Sequence, residues 1–122
     1  MRYMCLVYLE EEKMVALARD PAAIQAFEEE VVAYDQKVNE KGVLVIASPL
    51  KRVREAVTIR VRNGRALATD GPFAETKEQL GGFLLIEVPD LNAAIDIAQR
   101  SPLAKVGSIE VRPVGHPGWP QG

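Results

Sequence analysis

The stretch AVTIRVRNGRALATD, residues 56–70, decides the fold predicted for this chain. Its first half alternates apolar and polar side chains, which is typical of a strand with one covered face. Asn63 and Gly64 then supply the two positive-φ residues of a type I′ turn. The sequence therefore predicts a tight antiparallel hairpin in which Val57 lies opposite Asp70, and Asp70 shares the apolar face of the hairpin.

On each side of this hairpin, a predicted helix lies between two predicted strands. Upstream, Asp20 is the expected N-cap of a helix over residues 21–41, and Gly42 ends it. Downstream, Asp90 opens a second helix, which ends at Ser101. Strand 43–50 is expected to be buried, with Pro49 ending it or placing it at a sheet edge, and residues 10–19 are left as a connection. The predicted strands cover residues 2–9, 43–50, 56–62, 65–70, 82–88 and 108–114.

The order β-α-β, hairpin, β-α-β predicts a ferredoxin-like α+β fold, in which both helices cover one face of an antiparallel sheet with an inserted strand. We expect a single domain over residues 1–114 and an irregular tail over residues 115–122. Strands 2–9 and 82–88 are apolar on both sides, so helices on one face leave an apolar face open. A symmetric homodimer that pairs these two sheet faces is the predicted solution.

The charge balance and the amino terminus restrict the partners of the chain. Fifteen Lys and Arg residues against seventeen Asp and Glu residues give a net charge of −2, which disfavours nucleic-acid binding. The opening MRYMCLVYLEEEK has too short an apolar run for a signal peptide or a membrane span. We therefore expect a cytoplasmic protein with neither a nucleic-acid nor a membrane partner.

Cysteine, histidine and glycine patterns argue against a metal or a cofactor. Cys5 is the single cysteine, and its apolar strand predicts a packed core thiol rather than a reactive one. One histidine, one cysteine and scattered carboxylates give none of the usual zinc or iron spacings. Neither GxxxxGK nor GxGxxG occurs. The prediction is a cofactor-free protein that acts on, or binds, a small organic ligand.

A second stretch, TDGPFAETKEQLGG at residues 69–82, is longer than the roughly two to five residues that a hairpin needs. The excess predicts a loop that frames a small-molecule site. Asp70 leaves its strand on the apolar side, where burial disfavours a charged carboxylate. Two interpretations stay open: Asp70 accepts backbone N–H bonds within the turn, or it is a general acid or base, or a ligand anchor, at the rim of a cavity.

Other side chains join Asp70 as candidates. Thr76 and Lys77 either face inward to bind a carboxylate or carbonyl oxygen, or form a helical cap and a solvated face. Phe73 is expected to anchor the loop, and Ser48 adds a polar contact. A tyrosine or Lys77 would be the proton-transfer neighbour of Asp70. The predicted ligand-binding residues are Tyr8, Tyr34, Ser48, Phe73, Thr76 and Lys77.

The segment DGPFAETKEQLGGF, residues 70–83, resembles the signature of the DGPF group within the YCII-related proteins. The segments RYMCLVY, PDLNAA and SIEVRPV resemble the same family, so the likeness extends over nearly all of residues 2–114. The resemblance implies a dimeric α+β barrel fold that binds compact organic molecules between sheet and helices. It also implies a regulatory or stress-linked setting, because some DGPF proteins are thought to be encoded beside extracytoplasmic-function sigma factors.

The chain departs from the catalytic pattern of this family. Members with proposed catalysis are credited with a histidine–aspartate pair, whose histidine lies in the first helical region. That region contains no histidine here, and the single histidine of the chain is His116, in the tail. A mobile tail group is poorly placed for proton transfer.

Three functions follow from these observations. The first is a small-molecule-binding homodimer with a regulatory or stress-linked role, in which the loop forms the pocket lid or the dimer interface. The alternative is a cofactor-free enzyme of isomerase or lyase type, with Asp70 as acid or base and Lys77, Thr76 and Ser48 as polar contacts. A third is an assembly protein whose loop only seals the dimer.

Overall fold

A computed structural model describes residues 1–115; the predicted tail, including His116, lies outside them from residue 116 onward. The strands are β1 Arg2–Leu9, β2 Leu44–Pro49, β3 Val57–Arg62, β4 Arg65–Asp70, β5 Gln79–Glu87 and β6 Gly107–Pro113. The helices are α1 Glu11–Ala18, α2 Pro21–Glu40, α3 Leu91–Gln99 and α4 Leu103–Val106, with a 3₁₀ turn over Val53–Glu55.

The main sheet has four strands in the order β2-β5-β1-β6, and each neighbouring pair is antiparallel. This order, with a helix in each connection between β1 and β2 and between β5 and β6, confirms the predicted ferredoxin-like α+β class. The first strand is central, as its apolar faces predict. Strand β2 is an edge strand and is mostly exposed, so the expectation of a buried strand is wrong, while the edge placement is confirmed.

The predicted hairpin forms with its predicted register. Val57 is paired with Asp70, and Asn63 and Gly64 have φ angles of 54° and 73°. However, β3 and β4 make a separate two-stranded sheet, so the expectation of a strand inserted into the main sheet is wrong. The ends of this excursion meet at the main sheet, where the Leu50 N–H donates to the Gly81 carbonyl oxygen at 2.9 Å.

Both predicted helix caps are present. The carboxylate of Asp20 accepts from the Ala23 N–H at 3.2 Å, and that of Asp90 accepts from the Ala93 N–H at 2.9 Å. Helix α1 replaces part of the expected connection. It begins after Glu10, whose side chain makes no capping hydrogen bond, so the usual start signal is missing. Strand β5 begins at Gln79, three residues before the predicted start at Gly82.

The core lies between the main sheet and the helices. Tyr3, Cys5 and Val7 of β1 alternate toward it, and Ile86 of β5 is fully buried there. Burial raises the pKa of the Cys5 thiol to about 11, which confirms a packed thiol held in its neutral form. The side chains that alternate with these are only partly covered. They define the open sheet face: Met4, Leu6, Phe83 and Leu85.

Candidate functional site

A cleft of about 1060 Å³ lies between the hairpin, the segment that follows it and one end of the main sheet. We call it the loop cleft. Its wall comes from the β2–β3 connection and β3, and its rim from residues 72–79 other than Glu78. Its floor comes from β1, β6 and Glu78. The loop predicted to frame a site therefore borders this cleft.

Hydrogen bonds to the hairpin hold the start of this loop. The Gly71 N–H donates to the Ala56 carbonyl oxygen at 2.7 Å, and the Thr58 hydroxyl donates to the Gly71 carbonyl oxygen at 2.8 Å. The Arg60 guanidinium donates to the Phe73 carbonyl oxygen at 3.1 Å. The polar face of β3 thus fixes the loop, which leaves the apolar face of β3 for the cleft.

The second half of the loop is held by its own side chains. The Thr76 hydroxyl donates to the Glu78 carbonyl oxygen at 2.7 Å. The Gln79 amide donates to the carbonyl oxygens of Ala74 and Thr76 at 3.0 and 3.1 Å. Since these donors satisfy backbone carbonyls that no strand or helix pairs, the loop has a defined shape without regular secondary structure.

Four polar side chains form what we call the cleft floor: Tyr8, Glu78, Ser108 and Glu110. Tyr8 and Ser108 are cross-strand neighbours. The Tyr8 hydroxyl donates to Glu110 Oε1 at 3.3 Å, and the Ser108 hydroxyl donates to Glu78 Oε1 at 2.8 Å. Each hydroxyl is therefore paired with its own carboxylate.

Charge interactions tune two of these floor groups. Desolvation first, and then the negative charge of Glu110, raise the pKa of the Tyr8 phenol above its ordinary value. The hydrogen bond from Arg112 is the main reason that the pKa of Glu110 is lowered. The floor thus holds a neutral phenol beside an ionised, arginine-paired carboxylate at neutral pH.

The apolar side of the cleft includes Val57 and Ile59 of the wall and Phe73 at the rim. Val57 and Ile59 lie on one face of β3 and are 58 % and 60 % exposed, while Phe73 is 79 % exposed. Phe73 was predicted to anchor the loop, but its side chain is too exposed for that role. The backbone bonds of Gly71 and Phe73 hold the loop instead.

The structure divides the predicted site residues among separate places. Tyr8, Phe73 and Thr76 line the loop cleft, whereas Asp70 and Lys77 are exposed and do not line it. Asp70 was expected to look into an apolar hollow, and the exposure of its side chain corrects that expectation. The predicted register of the hairpin is correct. Asp70 is nevertheless exposed because nothing in residues 1–115 covers that face of the hairpin at β4. An acid or base role for Asp70 stays a prediction.

The remaining predicted residues lie on the other side of the main sheet. Ser48 lines a cavity of about 550 Å³ between α2 and the sheet, where the family resemblance implies a ligand. Asp35 borders the same cavity, and desolvation raises the pKa of its carboxyl group. Tyr34 lines a smaller cavity beside α3, and its hydroxyl donates to the Ile97 carbonyl oxygen at 2.7 Å. Tyr34 is thus engaged in joining two helices.

Glu78, Ser108 and Glu110 are not identified as site residues from the sequence. The alternation of the last strand does place Ser108 and Glu110 on one face. That signal becomes informative only with the register of β6 on β1, which pairs Ser108 with Tyr8. No turn connects these two strands, so sequence alone could not supply that register.

The described part of the chain offers neither a metal-ligand cluster nor a helix that could span a membrane. Among residues 1–115, no group of three or more histidine, cysteine, aspartate or glutamate side chains is arranged to hold a metal ion. Of the helices in that range, none has the length and apolar character needed to cross a membrane.

Comparison with known proteins places the chain in a family. The family model described as the YCII-related domain matches residues 1–116, and the protein belongs to the YCII-related family. It is 36 % identical over 116 residues to the uncharacterised protein R00369 of Rhizobium meliloti (strain 1021), a match that spans 93 % of this chain and 92 % of that relative.

The fold is shared with a solved structure of low sequence identity. It is the 5-chloro-2-hydroxyhydroquinone dehydrochlorinase TftG from Burkholderia phenoliruptrix AC1100, in complex with 2,5-dihydroxybenzoquinone. The TM-score is 0.51 at 15 % identity, and the match covers 95 % of both chains. This likeness agrees with the predicted α+β class.

Proposed function

We propose that the protein is a small-molecule-binding homodimer whose ligand occupies the loop cleft. The observation that carries this proposal is the composition of the cleft, which sets an apolar wall opposite a hydrogen-bonded polar floor. Ligand sites combine mainly apolar linings with a few fixed polar groups, and a volume of about 1060 Å³ suits a compact organic molecule. In a regulatory or stress-linked role, this ligand is the signal that the protein senses.

Self-association is supported by uncovered apolar surface in two places. The open sheet face presents Met4, Leu6, Phe83 and Leu85, all partly exposed in the single chain. The apolar side of β3 is more than half exposed. A symmetric pair of chains that joins the two open sheet faces removes the first surface from water and brings a second chain close to the cleft.

The binding proposal is tested by saturation-transfer NMR with a library of neutral aromatic fragments. Ile59 and Val61 lie on the same face of β3 with nearly equal exposure, 60 % and 58 %, but Val61 does not line the cleft. We expect Ile59→Ser to lose the fragment signals and Val61→Ser to keep them. Equal loss, or no loss, in the two variants would remove the loop cleft as the site.

The dimer proposal is tested by analytical ultracentrifugation of the wild type and Leu6→Glu. A charge at the centre of the open sheet face opposes burial against a second copy, so this variant is expected to sediment as a monomer. Val32→Glu is the matched control, because Val32 is an exposed apolar residue on α2. A monomeric wild type at all concentrations would contradict the proposal.

A second candidate function is a cofactor-free isomerase or lyase that uses the same cleft. It is supported by the shared fold with TftG, a dehydrochlorinase, and by the paired phenol and carboxylate of Tyr8 and Glu110, which place a proton donor and a negative charge side by side in the cleft. Asp70 would join them as acid or base from its position opposite Val57, which lines the cleft.

A further inference from the structure

We propose that the ligand of the loop cleft carries a protonated amine, which the carboxylate of Glu78 binds at the cleft floor, while an apolar body packs against the wall. This inference rests on the proposed ligand-binding function of the cleft and adds the chemical class of the ligand. Three independent properties of the described residues support it: the direction of the hydrogen bonds, the charge balance and the position of the apolar side chains.

The hydrogen bonds leave the floor rich in acceptors. The Tyr8 hydroxyl uses its one proton on Glu110, and the Ser108 hydroxyl uses its one proton on Glu78. The Thr76 hydroxyl and the Gln79 amide at the rim donate to backbone carbonyl oxygens. What remains for a ligand is mainly the lone pairs of the carboxylate and hydroxyl oxygens, so a hydrogen-bond donor fits best.

The charge balance selects a cationic donor. Glu110 is paired with Arg112, and Lys51 is paired with Glu55 at 3.7 Å. Arg52, the remaining cation of the lining, is paired with Glu11 at 3.3 Å, outside the lining. Glu78 has no cationic side chain within 4 Å among residues 1–115. The floor therefore carries one negative charge without a partner, which attracts an ammonium group and repels a carboxylate.

The wall determines the rest of the molecule. Val57 and Ile59 present a flat apolar strip, and Phe73 stands exposed beside it at the rim. An aromatic or branched aliphatic body covers these side chains and removes their surface from water. An amine with such an apolar body thus fits both the carboxylate of the floor and the apolar side chains of the wall.

The test uses three probes that share one phenethyl body: 2-phenylethylamine, 2-phenylethanol and 3-phenylpropionate. Their dissociation constants are measured by NMR titration of the full chain. We expect the amine to bind at least about tenfold more tightly than the carboxylate, because a charge-assisted hydrogen bond is gained in one case and a repulsion in the other. The alcohol is expected to lie between them.

Glu78→Gln keeps one oxygen that accepts from Ser108, removes the charge and replaces the other oxygen by an amide NH₂ group. We expect this variant to weaken binding of the amine by about tenfold and to leave the alcohol unchanged. Glu12→Gln is the matched control, since Glu12 is exposed on α1, away from the cleft lining, and it should change neither constant. Loss of amine affinity in both variants would indicate general charge attraction and overturn the role of Glu78.

The failures of the two proposals are distinguishable. If the carboxylate binds as well as the amine, or Glu78→Gln binds the amine normally, the ligand class is wrong. Binding of the alcohol that is sensitive to Ile59→Ser would then still support the cleft. If none of the three probes binds at millimolar concentration, both proposals are contradicted.

Discussion

Cys5 and Val7 of β1 are 1 % and 2 % exposed, whereas Val57 and Ile59 of β3, spaced by the same two-residue alternation, are 58 % and 60 % exposed. Both strands are extended and both pair with an antiparallel neighbour. The difference lies in what covers them. Strand β1 has strands on both edges and helices on one face, while the main contacts of β3 within residues 1–115 are with its one partner strand, β4.

This comparison separates two meanings of an apolar alternation. In the main sheet, it marks a face that the same chain buries. In the hairpin, the same alternation marks a face that stays exposed in the single chain. Because a two-stranded sheet alone is marginally stable in water, we expect a ligand or a second chain to cover this face. The hydrogen bonds of Thr58 and Arg60 to the loop give the hairpin support that its apolar side chains do not.

A matched pair of substitutions, one in the main sheet and one in the hairpin, tests this difference in coverage. Ile86→Ala is expected to lower the free energy of unfolding by about 2–5 kcal/mol, because it opens a cavity in a fully buried position. Ile59→Ala is expected to change it by less than about 0.5 kcal/mol, as for other surface positions. Urea denaturation, at a concentration where the chain is monomeric, measures both values. Similar losses would show that the hairpin face is covered within one chain.

A second test concerns the packing of β6 against β1. A Cβ atom at Gly107 would lie closer to the Tyr8 carbonyl oxygen than two atoms can approach without a backbone shift. Gly107→Ala is therefore expected to cost about 1–3 kcal/mol of stability. Gly115→Ala is the control, because a Cβ atom there meets nothing within 4 Å. The unfolding temperatures of the two variants are compared with that of the wild type. An unchanged unfolding temperature for Gly107→Ala would mean that β6 is not held at this register.

A substitution of Tyr34 tests how strongly its hydrogen bond stabilises the packing of α2 against α3. The Ile97 carbonyl that it caps lies in the last turn of α3, where no intrahelical donor is available. Tyr34→Phe is expected to lose about 1–2 kcal/mol. Burial raises the pKa of the Tyr34 phenol, so its contribution is complete below about pH 10, the unfolded value, and is lost as pH rises further.

Urea denaturation between pH 7 and 11 measures this effect. The wild type should lose stability above about pH 10 more steeply than Tyr34→Phe. Tyr8→Phe is the comparison variant: the pKa of the Tyr8 phenol is also raised, but its hydroxyl lies in the open cleft, so its pH profile should differ less from the wild type than that of Tyr34→Phe. Parallel pH profiles for the wild type and Tyr34→Phe would assign the alkaline loss to another group.

Asp70→Asn is the smallest of these tests and lies on the uncovered side. The side chain is exposed, so stability should change by less than about 0.5 kcal/mol. Under ligand binding at the cleft floor, the affinity for 2-phenylethylamine should also stay within about twofold. A larger loss of affinity would support the role of ligand anchor, which is one of the interpretations that the sequence leaves open for Asp70.

Local rules were sufficient for much of the fold. The Asn63–Gly64 turn gave the hairpin register, and the side chains of Asp20 and Asp90 gave two helix starts, because each depends on residues close in sequence. Helix α1 was missed for the same reason, since no capping side chain precedes it. The separate position of the hairpin depends on long-range packing, which no local pattern reports.

The site was less predictable than the fold. The loop could be recognised by its length, and Tyr8, Phe73 and Thr76 do line the cleft. Glu78, Ser108 and Glu110 come together only through the β1–β6 register and a loop held by its own hydrogen bonds. Asp70 shows the opposite case, where a correct register led to a wrong environment.

The hydrogen bond from Leu50 to Gly81 also bears on where the chain would tolerate deletions and insertions. Because the excursion leaves and re-enters the main sheet at one point, we expect a short turn in place of residues 51–78 to preserve the main sheet while deleting the cleft wall. Conversely, the exposed Asn63–Gly64 tip offers a graft point for a reporter sequence. The hairpin and its loop would then be removable, while Tyr8, Ser108 and Glu110 would stay on β1 and β6 of the main sheet.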